Sequence, residues 1–148
     1  MIFATLGRLA FTVLHLGGMR PLKTNVGATL LANEMTLLLE KQLPRAEKAK
    51  AIAEAIRASG DYRWTGVYDV DEEKGVVSNI AWSGSGAPQY PVFSITKGLT
   101  SRAIATKRTV NVGDVASDAD YLTTLATTQS EIIIPVLSAR GDKCGRHY

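Results

Sequence analysis

The chain has 148 residues, 45% hydrophobic and 21% charged, enough for one ordinary globular core and too few for two. Its single cysteine, Cys144, excludes a disulfide framework, and His15 and His147 form no zinc-ligand pair, so neither a metal nor another cofactor is implied. The formal charge of +3 originates in residues 1–33, where Arg8, Arg20 and Lys23 occur without an acid; no basic stripe accompanies it, which excludes nucleic acid as a partner.

Residues 1–31 read apart from the rest. Arg8 precedes an apolar run from Leu9 to Leu16, and Gly17-Gly18 follows, an arrangement that imitates a short export signal without a clear cleavage site. An acid-free, Thr-containing leader equally fits an organelle address. The plainest reading is an upstream extension ahead of a later start such as Met19 or Met35. The stretch Ile2 to Leu16 is interrupted by Arg8 and His15 and falls short of the roughly 20 residues that span a bilayer, so no membrane partner is expected. Residues 1–31 are therefore expected outside the fold, with a single domain over 32–148.

From Leu30 to Leu43 apolar and polar residues mix in helical fashion, and Pro44 suits the first turn of a second helical segment. Ala49, Ile52, Ala53 and Ile56 follow the i, i+3, i+4, i+7 spacing of an amphipathic helix, and Gly60 is expected as its left-handed cap. The period then changes from 3.6 to 2. Tyr62 to Val70 places Tyr62, Trp64, Tyr68 and Val70 on one strand face, and the acidic turn Asp71 to Gly75 leads into a second strand, Val76 to Ser83, giving an antiparallel hairpin. After the loop Gly84 to Pro88 come a short strand from Val92 to Ile95 and a helix from Gly98 to Lys107 that Thr96 is expected to cap. Thr109 to Val112 reads as a strand, and Gly113 to Gln129 as a loop with a helical turn around Tyr121. Glu131 to Leu137 reads as a buried strand running into a turn at Ala139 to Asp142.

This element order resembles a GAF domain. The wording agrees: Trp64-Thr65-Gly66-Val67-Tyr68 on the first strand, Ile95-Thr96-Lys97-Gly98-Leu99-Thr100 at the short helix, Val112-Gly113-Asp114-Val115 after the next strand, and Ser130-Glu131-Ile132-Ile133-Ile134-Pro135 later. Within that superfamily the Trp-x-Gly-x-Tyr strand is similar to that of the free methionine-(R)-sulfoxide reductases. The resemblance covers roughly residues 35–142. It implies an α+β class with a profilin-like antiparallel sheet, an N-terminal helix packed on one face, and a small-molecule pocket in a cytoplasmic domain that is often dimeric.

Departures from the reductase pattern bear on the chemistry. The three cysteines of those enzymes align with Tyr90, Thr100 and Thr124, and a hydroxyl cannot replace a thiolate in a reaction that proceeds by thiolate attack and disulfide release. A non-enzymatic, GAF-type sensory or ligand-binding module is therefore expected. A divergent reductase and a dimerisation module built on the helix from Leu30 to Ser59 are the alternatives. Glu131 stands where the resemblance places a substrate-recognising carboxylate. Trp64, Tyr68, Trp82 and Tyr121 are candidate aromatic walls, with Tyr90, Thr100 and Thr124 beside them. An aromatic box with one carboxylate suits a ligand bearing an amino group, that is, an amino-acid-like molecule, although each aromatic equally fits a core position. The resemblance also implies a further central strand and a closing helix after Asp142, where only Lys143 to Tyr148 remain. The domain is thus expected to be C-terminally truncated, with the strand from Glu131 to Leu137 left bare along one edge.

Overall fold

The computed structural model describes residues 9–15 and 25–137. Leu9–His15 forms β1, followed by helices α1 (Asn25–Glu40) and α2 (Arg45–Ala58), the hairpin strands β2 (Tyr62–Asp71) and β3 (Val76–Gly84), β4 (Val92–Ser94), α3 (Gly98–Thr106), β5 (Val110–Val112) and β6 (Ser130–Val136). The six strands make one sheet in the order β4-β3-β2-β1-β6-β5, and every pairing in it is antiparallel.

The sheet corrects two expectations. Residues 1–31 do not stand wholly outside the fold, because β1 pairs with β2 from Leu9 opposite Asp69 to His15 opposite Tyr62. Nor is β6 bare along the whole of an edge, since β1 pairs with it from Leu9 opposite Val136 to His15 opposite Ser130, and on its other side β5 covers Glu131 to Ile133, leaving Ile134 to Val136 without a strand there among the described residues. The physical reason lies in the apolar, partly β-branched run Leu-Ala-Phe-Thr-Val-Leu-His, which suits a strand with a neighbour on each side as well as it suits an export signal. The turn expected at Ala139 to Asp142, the tail from Lys143 to Tyr148 and Cys144 lie outside the described residues.

Alternation along β2 divides the core in two. Trp64 and Tyr68 face one side, where they join Val77, Ile133, Leu99 and Ala103 of α3, and Val115. Val67 faces the other, with Ala81 of β3, Leu38 of α1, and Ala49, Ile52, Ala53 and Ala55 of α2. The two helices therefore cover the β2–β3 side of one face, and α3 with its following loop covers the opposite face. Arg45 at the start of α2 holds Asp69 of β2 in a two-pronged ion pair at 2.8 and 3.1 Å.

Smaller details depart from the sequence reading. Gly60 is not in the left-handed region. Instead the Ser59 amide closes α2 on the Ala55 and Ile56 carbonyls, and a Cβ at Gly60 would stand 2.9 Å from the Tyr62 ring. Thr96 does not cap α3, which has Lys97 at its N-cap without a side-chain bond, because the Thr96 hydroxyl is engaged with that of Ser94 at 2.9 Å. The helical turn of the long loop falls at Val115–Ser117, where the Asp114 side chain accepts from the Ala116 amide, and not around Tyr121.

Gly66 explains the Trp-x-Gly-x-Tyr wording in steric terms. A Cβ there would lie 2.3 Å from the Trp64 ring and 2.8 Å from the Tyr68 ring, so the two aromatics lean over the glycine between them. Gly66→Ala is accordingly expected to lower the unfolding free energy by about 1–3 kcal/mol through overpacking, measured as a fall in the urea midpoint at constant m-value. An unchanged midpoint would show that the rings do not close over Gly66.

Candidate functional site

Glu131 enters the core because of where it falls in β6. It pairs with Val112 of β5 and Leu14 of β1 through the backbone, and it shares a sheet face with Ile133, two residues on. Glu131 is 4% exposed. Burial pushes its pKa up from the ordinary carboxyl value to about 8, because the charged form loses water that its surroundings do not replace. Among the described residues no cation pairs with it.

Around Glu131 lies a small cavity. Tyr68 of β2 and Phe93 of β4 form one wall, Gly98, Leu99 and Thr100 at the start of α3 another, and Tyr90 with Leu122, Thr123 and Thr124 the cover. The Tyr68 and Phe93 rings meet edge to face at 5.9 Å. Burial raises the Tyr68 phenol above its ordinary value, the nearby Glu131 charge adds to the shift, and a bond with Asn79 opposes it. The cavity volume is about 20 Å³, room for about one water molecule. Its cover comes from two loops that meet where the Gln89 amide donates to the Thr124 carbonyl at 2.9 Å. Arg102 of α3 pairs with Asp118 and the Val115 amide bonds the Gln129 carbonyl at 2.9 Å, fixing the outer loop at its base.

Five of the eight candidate residues, Tyr68, Tyr90, Thr100, Thr124 and Glu131, come together at this cavity. Trp64 does not line it. That residue is wholly buried and donates its indole N–H to the Gly86 carbonyl at 3.1 Å, pinning the loop after β3 to the core. Tyr121 packs against the same core cluster without lining the cavity, and burial raises its phenol. Trp82 stands elsewhere, 41% exposed on β3. Sequence reasoning missed Phe93, Leu99 and Leu122 as lining residues, since an isolated apolar residue in a short strand or loop carries no signal of its own. Gly98 was available as a signal. It adopts a φ of +71°, and a Cβ there would stand 3.0 Å from Leu122, so its place in Lys97-Gly98-Leu99-Thr100 reflects close packing of α3 under the loop.

The buried carboxyl makes stability pH-dependent with a definite sign. Its folded pKa lies above its unfolded value, so the folded state retains a proton that the unfolded chain releases between about pH 4.5 and 8. Stability is therefore lost as pH rises through that window, at up to about 1.4 kcal/mol per pH unit, and levels off above it. Glu131→Gln is expected to flatten this slope and to be the more stable protein at pH 9, measured by urea unfolding across the pH range. Parallel curves for the two proteins would mean that Glu131 is not buried without a counter-charge.

No protein-family model and no curated protein matches the sequence. Known structures do. The free methionine-R-sulfoxide reductase of Neisseria meningitidis, in complex with its substrate, is similar with a TM-score of 0.67 and 20% identity over 85% of this chain and 72% of that one. The type II free methionine-R-sulfoxide reductase of Thermoplasma acidophilum is similar with a TM-score of 0.58 and 27% identity over 64% of this chain and 65% of that one. A GAF sensor protein from Burkholderia vietnamiensis is similar with a TM-score of 0.64 and 25% identity over 78% of this chain and 71% of that one. Enzymes and sensor domains thus both occur among the neighbours, and what they share with this chain is the architecture: its fold is the GAF-like α+β fold common to GAF domains and the free methionine-R-sulfoxide reductases.

Proposed function

We propose that this GAF-type domain is a ligand-binding module for a small amino-acid-like molecule and that it carries out no thiol chemistry on it. The observation that carries this reading is Glu131, a carboxyl in the wall of an aromatic-lined cavity with no cation beside it among the described residues. A ligand ammonium group supplies the missing counter-charge, and Tyr68 and Phe93 offer faces and edges to the rest of the molecule. Tyr90, Thr100 and Thr124, each with a hydroxyl, line the same cavity. They can hold a polar ligand group by hydrogen bonds but cannot form the disulfide that sulfoxide reduction by thiols requires. Because the closed cavity has room for about one water, binding requires Tyr90 and the Leu122–Thr124 loop to separate, breaking the Gln89–Thr124 bond.

A second reading, retained reductase activity, is favoured by the similarity to two free methionine-R-sulfoxide reductases. The homodimer expected from the sequence is supported by Leu30, Leu37 and Leu39 of α1 and Leu43 beyond it, all of which are exposed. Among the described residues no helix is long and apolar enough to cross a membrane.

The test is calorimetric titration of the full chain with L-methionine at pH 7 in two buffers of different ionisation enthalpy. Binding an ammonium beside Glu131 favours its charged form, so about one proton is expected to be released per ligand bound. Glu131→Gln is expected to abolish that release and to weaken binding by about tenfold or more. Heat without proton release would move recognition away from Glu131. Turnover of free methionine-(R)-sulfoxide with a dithiol reductant, well above that of Glu131→Ala, would replace the binding reading with the enzymatic one.

A further inference from the structure

Leu122–Thr124, the segment over Glu131, is attached differently from the loop around it. The shoulders of that loop are closed by bonds internal to it, from the Tyr121 amide to the Asp118 carbonyl at 3.1 Å and from the Thr128 amide to the Leu125 carbonyl at 3.0 Å. Tyr121 and Leu125 pack against the core on either side, and the base is tied by the Val115–Gln129 bond and the Arg102–Asp118 ion pair. Between the shoulders, Leu122 rests over Gly98 and the Thr124 carbonyl accepts the Gln89 amide. Lifting these three residues breaks that bond and leaves the shoulder turns closed.

What lies beneath opposes closure once it is charged. Glu131 is buried and the cavity beside it has room for about one water, too little to hydrate a carboxylate. The ionisable groups around it offer no free cation among the described residues: β2 contributes Tyr68, the outer loop Tyr121 and the segment after β3 Tyr90, and α3 carries Arg102, which is committed to Asp118. Phe93 of β4, Leu14 of β1 and Val112 of β5 carry no charge. Burial raises the phenols of Tyr68 and Tyr121, so Glu131 ionises before either. The Tyr121 hydroxyl is buried as well and makes no hydrogen bond among the described residues, though Thr124 and Thr128 stand near it. A closed segment therefore leaves two polar groups dry.

We propose that Leu122–Thr124 is a pH-operated flap, shut over the protonated Glu131 carboxyl and lifted when that carboxyl loses its proton, because a carboxylate sealed in without a cation is hydrated only if water is let in. The closed state sets the upper end of the window, since burial there pushes the Glu131 pKa up to about 8. The lower end is the ordinary carboxyl value, which returns once water reaches the group. Opening favours the charged form, so the open fraction grows as pH rises between those two values and levels off above them. Access to the site is thereby set before any ligand arrives. The consequence for affinity rests on the ligand-binding reading above, whereas the motion itself does not.

Amide exchange of the full chain without ligand tests this, read at Gln89, whose bond the flap must break, and at Val115, whose bond ties the base. With the base catalysis of exchange itself divided out, protection of the Gln89 amide is expected to fall by about tenfold or more from pH 6.5 to 8.5. At pH 8.5 it is expected to lie at least about tenfold below that of Val115, because the flap opens while the base stays closed. Glu131→Gln is expected to remove the pH dependence at Gln89, and Val115 protection no lower than in the original chain shows that the variant is folded. Gln89 protection that does not change with pH, or a pH dependence that Glu131→Gln retains, overturns the proposal. So does equal protection of Gln89 and Val115 at every pH, which would mean that the bond breaks only when the whole loop unfolds. Since no ligand is present, a failure of methionine to bind leaves this result untouched.

Discussion

Backbone pairing along both edges of β1 joins the two halves of the molecule. The hairpin β2–β3 with β4 forms one half of the sheet and β6 with β5 the other, and in the order β4-β3-β2-β1-β6-β5 the two halves touch as a sheet, among the described residues, only through Leu9–His15. Seven residues pair on each side of that strand. The cavity depends on the same pairing, because Tyr68 and Phe93 come from one half and Glu131 from the other. Shifting the β1 register by one residue would move Glu131 along the sheet relative to Tyr68, and the shared cavity would be lost.

Within that frame the site is shaped by two local constraints that act in opposite senses. Close packing tightens the cavity and the core beside it: Tyr68 of the wall and Trp64 of the core lean over Gly66, and Leu122 approaches α3 where Gly98 leaves room. Electrostatics works against closure, since the Glu131 carboxyl is held where its charged form is costly and its proton is retained to about pH 8. Under the proposed binding reading, a closed, protonated site and an open site with a cation beside the carboxylate are the two arrangements that would relieve this conflict. On that reading the loops that carry Tyr90 and Leu122–Thr124 are the parts to be displaced, since the Gln89–Thr124 main-chain bond joins them while α3 and β6 are anchored in the core.

Much of this was legible in the sequence wherever a period was long enough to be unambiguous. The helix carrying Ala49, Ile52 and Ala53, the hairpin from Tyr62 to Gly84 and the strand beginning at Glu131 follow directly from spacing. Tyr68 and Glu131 could be named as candidates, the first from the Trp-x-Gly-x-Tyr strand and the second from the resemblance and as a carboxyl beside three isoleucines, and both line one cavity. β1 was misread for a physical reason: a short continuous apolar run is compatible with a central strand of a sheet covered on both faces, and the same run after an arginine and before two glycines matches an export signal equally well. Trp64 illustrates the converse limit. Alternation correctly put it on the face of Tyr68, but nothing in spacing reveals that its indole reaches Gly86 instead of the cavity.

Amide hydrogen exchange of Leu9–His15 tests the central claim most directly. With β1 paired to β2 and β6 along its length, its ladder amides should exchange only through the global opening that also exposes the core of β2 and β6, giving the same protection in all three strands. Exchange of the β1 amides at the rate of an unstructured chain, while β2 and β6 stay protected, would contradict the account and remove the link between Tyr68 and Glu131 on which the candidate site rests.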